Sequence, residues 1–376
     1  MDNYWENFKT PFVCFAGHSG VGKTTLLVEL TKRFQADKIR VGYYKHDSHR
    51  FVVDRKGKDT ARCARAGAEI VTINDPTHFA VIGDGSFKKM TISHALEQCD
   101  CILIEGYKQS PFNKVVFLDE KGKLPIPADS PGIQAIVHQG NLADWPQEDS
   151  RIPLFHRDEV ERIYKFVKSH FYSCTSPLYG VVFVGGQSRR MGKPKFSLSY
   201  TGKPEFQRMA EILAPFCEQV FLSSRSDQNL GEIPALVNGG RIDDEHVGLG
   251  PVGGLATLMS RFPKNAWLIT ACDLPFMTKR DLEKLVRERD PFKYGTCYIK
   301  KGRFGFEPMF AIYEPKFIFP LFQAMSRREL SLSLIISELP FKHIKVEEAD
   351  RSNFTNVNHP EEYELAKLKR ENKIQE

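Results

Sequence analysis

The sequence predicts two α/β domains in tandem, residues 1–174 and 175–376, the second carrying a doubly wound and mostly parallel sheet. Three observations carry this. Twice, a short apolar run passes straight into a glycine-bearing loop: residues 11–16 into a loop at 17–25, and residues 181–184 into Gly185 and Gly186. Strand-like and helix-like stretches alternate through both halves, as in sheets joined by crossover helices. Between the halves, Pro146, Pro153 and Pro177 flank one helix-like segment, and Ser173, Cys174, Thr175 and Ser176 read as a short linker. A length of 376 residues suits two domains.

In the first half, residues 11–16 are a buried strand and residues 26–34 a helix. The loop between them, Gly17, His18, Ser19, Gly20, Val21, Gly22, Lys23, Thr24 and Thr25, reads G-x-x-x-x-G-K-T in its confirming context. Its N–H groups and the following helix N-terminus suit phosphates. Lys23 would reach the β- and γ-phosphates and Thr24 would sit on Mg²⁺. A second strand, 39–44, ends in Lys45, His46, Asp47, Ser48 and His49, where α/β folds bind ligands. A helix follows at 59–67. A third strand, 101–104, ends in Glu105, a carboxylate placed to order a metal or a water. Further strands are expected at 115–118 and 135–137. The spacing of Val160, Ile163, Phe166 and Val167 predicts a helix over 158–171.

In the second half, the strand 181–184 runs into Gly185, Gly186, Ser188, Arg190, Gly192 and Lys195. Without a Cβ, the glycines let a ligand lie against the main chain, and the cations suit a polyphosphate. A helix is expected over 204–216 and a strand over 220–223, ending in Ser224 and Arg225. Next come residues 235–237, then Asp243 and Asp244, and then Gly250 ahead of a helix at 255–260. The apolar run 267–272 ends in Asp273, before Pro275. A carboxylate there can hold Mg²⁺ against phosphates.

Composition narrows the class. A net charge of +6 with 27% charged residues is ordinary for a protein that handles anions. No block of five or six like charges occurs, and no basic stripe carries interleaved aromatics, so nucleic acid is not an expected partner. No apolar run approaches the roughly 18 residues of a membrane span. The N-terminus is acidic and lacks the apolar core of a signal peptide. Eight scattered cysteines without a C-x-x-C pair read as reduced thiols. A cytoplasmic protein is expected; its oligomeric state stays open.

The loop Gly185, Gly186, Ser188, Arg190, Met191, Gly192, Lys195 resembles the G-G-x-S-x-R-M-G-x-x-K signature of the molybdenum cofactor guanylyltransferases. Gly250 to Gly254 resembles their G-P-L-A-G segment, with Val252 and Gly253 as departures. Asp273 matches their metal-binding C-D-x-P aspartate, 306–313 their E-P-L-F-A-L-Y strand, and 354–362 their N-x-N-T-P-E-D element, with Asn358 as its polar residue. The first half resembles the molybdopterin-guanine dinucleotide biosynthesis adaptor protein B, a P-loop GTP-binding family. The residues that carry it are 17–25, Lys45, His46 and Asp47, Asp54, 57–60, 66–68 and 104–108.

The resemblance implies a nucleotidyltransferase fold after a P-loop NTPase-type fold. It implies Mg²⁺-dependent transfer of GMP from GTP to molybdopterin, with pyrophosphate released. Arg190, Lys195 and Asp273 would be the catalytic groups. Val184, Gly185, Gly186, Ser188, Gly192, Asp243 or Asp244, Gly250 and Asn358 would complete the nucleotide site. It further implies slow GTP hydrolysis in the first half, with Thr24 and Glu105 at the metal, and molybdoenzymes or other cofactor-biosynthesis proteins as partners. Other readings are a cytidylyltransferase, a sugar-phosphate nucleotidyltransferase, or a GTP-responsive scaffold without transfer activity. Related cytidylyltransferases carry a loop closer to A-A-G, where this chain has Val184, Gly185 and Gly186.

Overall fold

The structure is a computed structural model. It describes residues 8–46, 59–83, 88–140, 142, 152–185, 191, 195–200, 202–300 and 305–375. The chain divides into two compact units, Met1–Cys174 and Thr175–Glu376.

The first unit contains β1 (Phe12–Ala16), α1 (Lys23–Ala36), β2 (Val41–Lys45), α2 (Asp59–Arg65), β3 (Ile70–Asn74), β4 (Phe79–Gly83), α3 (Lys88–Leu96), β5 (Cys101–Glu105), β6 (Lys114–Phe117), β7 (Ile133–His138), β8 (Leu154–His156) and α4 (Val160–Ser173). Six strands form one sheet in the order β2-β5-β1-β6-β7-β8, parallel throughout. Both faces of its centre are covered, so β5 and β6 are buried at every position. That explains their unbroken apolar runs. Phe34 on α1 meets Tyr164 and Phe171 on α4, with ring centroids 4.9 and 5.9 Å apart. β3 and β4 form a separate antiparallel hairpin. It leaves Ile73 and Phe79 exposed, so burial imprints no alternation on its sequence.

The second unit contains β9 (Leu178–Phe183), α5 (Glu205–Leu213), β10 (Gln219–Ser224), β11 (Gly240–Asp243), α6 (Gly250–Arg261), β12 (Ala266–Ala271), α7 (Lys279–Arg287), β13 (Gly295–Ile299), β14 (Phe306–Tyr313), α8 (Ile318–Ser326), α9 (Leu332–Glu338), β15 (Lys342–Lys345) and α10 (Pro360–Gln375). The sheet order is β11-β10-β9-β12-β14-β13-β15, with β14 antiparallel to both neighbours. Alternate residues of each strand face opposite layers. Val182, Leu222 and Leu268 pack with Met209, Leu213 and Leu282 of α5 and α7. Val181, Phe221, Trp267 and Ile269 pack with Leu255, Leu258 and Leu321 of α6 and α8.

Residues 235–237 lie in a turn ahead of β11, and Val237 is anchored in the core. The strand begins three residues later, where Gly240 pairs with Phe221. Its neighbour Gly239 lies tight against β10: a Cβ there would lie 2.5 Å from the Phe221 ring.

Candidate functional site

In the first unit, β1 delivers the loop 17–22 to the N-terminus of α1. Gly20 and Gly22 take φ of 82° and 89°, which favours glycine. Gly17 is constrained differently, since a Cβ would sit 2.9 Å from Phe117 Cβ. Val21 is buried and anchors the loop, while His18 and Ser19 are exposed. Lys23 Nζ donates to the carbonyls of His18 at 2.7 Å and Gly17 at 3.3 Å. Burial pushes this lysine below its ordinary range; the Glu105 charge opposes that shift, and the Lys108 and Lys45 charges add to it.

The two first-half residues expected at a metal are brought together. Thr24 Oγ1 donates to Glu105 Oε2 at 2.9 Å. Tyr43 also donates to that oxygen at 2.9 Å, and Lys45 stands 3.9 Å from Oε1. Thr25 is exposed on the first turn of α1. The polar groups gathered here are those of a polyphosphate site with an oxygen-ligated cation. Asp47, Ser48, His49, Asp54, Gly57 and Lys58 lie outside the described residues.

In the second unit, parallel strands β9, β10, β11 and β12 end on one side of the sheet. Their ends line a cavity of about 860 Å³. Val184 and Gly185 enter it from β9, Arg225, Ser226 and Asp227 from beyond β10, Asp244 from beyond β11, and Cys272 and Asp273 from beyond β12. Gly250 and Pro251 bring the N-terminus of α6, while Met191, Phe196, Met309 and Asn358 close other walls. A crevice at the carboxyl ends of parallel strands is where open α/β sheets hold ligands.

The adjacent aspartates have different surroundings. Asp244 lines the cavity and accepts from Ser223 Oγ at 2.8 Å. Burial raises its carboxyl pKa; the Ser223 bond opposes this and the Asp243 charge adds to it. Asp243 instead accepts from Arg241 Nε at 2.6 Å and Ser224 Oγ at 3.0 Å. Arg241 also donates to the carbonyls of Gln228, Arg225 and Ser226, so Asp243 orients the clamp on a loop that walls the cavity. Gln228 Nε2 returns to the Val184 carbonyl at 2.7 Å.

The Val357 N–H donates to the Asp273 carbonyl at 2.9 Å, which ties the Asn358 segment to the end of β12. Near Asp273, the buried Glu307 pairs with Lys300 at 2.7 Å. Burial is the largest influence raising the Glu307 pKa; Lys300 opposes it and Asp273 adds to it.

The glycines of the α6 segment divide by cause. Gly250 takes φ of 59° and faces open space. A Cβ on Gly253 would lie 2.3 Å from the His246 carbonyl, and one on Gly254 would lie 2.5 Å from Phe183. The last two therefore permit close packing beneath the cavity. Gly186, Ser188, Arg190 and Gly192 lie outside the described residues; the backbone of Lys195 opens a short 3₁₀ turn, Lys195–Ser197. Arg225, Asp227 and His246 line the cavity but carry no motif signal, because they arrive from two loops that follow β10 and β11.

Residues 12–139 match the family model for molybdopterin guanine dinucleotide synthesis protein B, and residues 180–339 match that for the MobA-like NTP transferase domain. The chain is 33% identical over 193 residues to a molybdenum cofactor biosynthesis bifunctional protein of Synechocystis sp.. That match covers 50% of this chain and 53% of the relative, so the chain spans about half the length of that protein. It is 29% identical over 174 residues to a molybdopterin-guanine dinucleotide biosynthesis adapter protein of Haemophilus influenzae, covering 44% of this chain and 94% of the relative. It is 30% identical over 206 residues to a probable molybdenum cofactor guanylyltransferase of Geobacillus sp., covering 49% of this chain and 95% of the relative.

Proposed function

We propose that this chain, which belongs to the molybdenum cofactor guanylyltransferase family and carries ahead of that region one of the protein B family, transfers GMP from GTP to molybdopterin. The products are molybdopterin guanine dinucleotide and pyrophosphate. Residues 175–376 are the transferase domain and residues 1–174 a GTP-binding adaptor domain. The observation that carries the reading is a cavity lined by Gly185, Asp244, Gly250, Asp273 and Asn358 together.

The terminal phosphate of molybdopterin attacks the α-phosphorus of GTP, and pyrophosphate leaves. A phosphate monoester is already an anion near neutral pH, so the step needs no general base. Its barrier is repulsion between anions, which alignment and charge neutralisation lower. The N-terminus of α6 presents the positive end of its dipole to the cavity. Arg190 and Lys195, whose side chains lie outside the described residues, are the cations that the sequence after β9 supplies. Gly185 lets the nucleotide approach the backbone, and Asp244 offers it an acceptor.

Asp273 lines the cavity with a hard oxygen donor at the end of a rigid strand, so it fits Mg²⁺. The ion, when bound, neutralises phosphate charge. In the adaptor domain, Thr24 and Glu105 are the corresponding oxygen pair. Fusion holds each domain near the other at roughly millimolar effective concentration. That favours hand-over of the cofactor toward molybdoenzymes or other cofactor-biosynthesis proteins. Eight scattered thiols suit a reducing cytoplasm.

The test is pyrophosphate release by the purified chain with molybdopterin and Mg²⁺, comparing GTP with CTP, ATP and UTP. Release with GTP alone supports the reading. Release with CTP in preference would make the chain a cytidylyltransferase, and GTP binding without release would make it a scaffold.

A further inference from the structure

Arg157 stands just past β8, beside the phosphate loop of the first unit. A Cβ on Gly22 would lie 3.4 Å from its Nη2 and 3.6 Å from its Cζ. Its backbone N–H donates to the His138 carbonyl at the end of β7. Its Nη1 donates to Gln139 Oε1 at 2.8 Å, so a neutral side chain holds the guanidinium in place. Among the described residues, the acidic group paired with it is Asp158, 4.0 Å from Nε and 79% exposed. Water screens such a pair heavily.

The position suits an anion. Gly22 caps the N-terminus of α1, a 14-residue helix whose positive dipole end lies there. A guanidinium beside it adds charge of the same sign. A phosphate reaching both would turn that repulsion into two attractions.

The sheet order sets which phosphate. Thr24 and Glu105 lie on the β5 flank of β1, and Lys45 follows from β2. That flank takes the metal and the β- and γ-phosphates. Arg157 lies on the opposite flank, past β6 and β7. His138 sits on the same edge, with its ring 5.5 Å from that of His156.

We infer that Arg157, positioned by Gln139, is a nucleotide-binding residue of the P-loop site that contacts the phosphate nearest the nucleoside. This rests on the P-loop half binding a guanine nucleotide.

The experiment is calorimetric titration of the full chain with GTP and with GDP. Lys23→Ala identifies which binding phase belongs to the P-loop. Arg157→Ala should weaken that phase roughly ten- to a hundredfold for both nucleotides, the loss of one charge-assisted hydrogen bond. The other phase and the melting temperature should not move. Arg157→Lys should recover part of the loss, and Gln139→Ala should give a smaller loss of the same kind, which keeps the test open if Arg157→Ala melts early. Unchanged binding in Arg157→Ala would overturn the inference. A loss for GTP but not GDP would also overturn it, by placing the contact at the γ-phosphate. If no phase of the wild-type chain responds to Lys23→Ala, the P-loop reading itself fails and takes the inference with it.

Discussion

Gly253→Ala separates two opposing effects at the floor of the transferase cavity. Gly253 lies inside α6, where alanine is intrinsically favoured over glycine by about 1 kcal/mol. The added methyl, however, would fall 2.3 Å from the His246 carbonyl and 3.1 Å from Leu249 Cβ. The first is a backbone atom and cannot rotate away. Overpacking of this kind costs about 1–3 kcal/mol. The net expectation is a loss of about 0–2 kcal/mol, or a fall of ~0–8 °C in melting temperature for a domain of this size. Relief requires the loop that carries His246, Val247 and Gly248 to move, and all three line the cavity. The KM for GTP should therefore rise. Thermal unfolding and pyrophosphate-release kinetics measure both effects. A variant that melts higher than wild type with unchanged KM would refute the reasoning, because the propensity gain would then be expressed against no steric cost.

Three further outcomes follow from named contacts. Glu205 is 1% exposed and accepts from Arg208 Nε at 2.9 and 3.1 Å; Arg208→Met strands that carboxylate and should destabilise the second unit by about 3–5 kcal/mol in denaturant unfolding. Burial holds His170 below the ordinary histidine range, so the unfolded chain binds its proton first. Stability should fall as pH drops from about 7 through the folded-state pKa, and His170→Gln should flatten that slope in urea titrations. Arg241→Met frees the carbonyls of Arg225, Ser226 and Gln228 and should raise the KM for GTP about tenfold, roughly one hydrogen bond to a charged group, with kcat little changed. An equal fall in kcat with KM unchanged would count against a positioning role.

The P-loop was legible because strand, glycines and cation are contiguous in sequence; most of the loop after β9 lies outside the described residues. Asp273 was legible for a related reason: β12 is buried at all six positions, so its apolar run ends visibly at the carboxylate. The choice between Asp243 and Asp244 was not, since they are neighbours at the end of β11 and only the fold turns Asp243 to Arg241 and Asp244 to the cavity. The β3–β4 hairpin left no alternation because it covers no core. Glycines in the α6 segment looked alike in sequence, yet Gly250 faces open space while Gly253 and Gly254 are fixed by atoms from the His246 loop and β9. Arg157 gave no signal, because its proximity to Gly22 depends on the sheet order and not on spacing along the chain.

The central claim is that nucleotidyl transfer belongs to the second unit, with the P-loop unit as an auxiliary. Pyrophosphate release from GTP in the presence of molybdopterin and Mg²⁺, measured for Asp273→Ala and Lys23→Ala side by side, tests it most directly. The account predicts that Asp273→Ala abolishes release and that Lys23→Ala retains it. Release that survives in Asp273→Ala and vanishes in Lys23→Ala would contradict it.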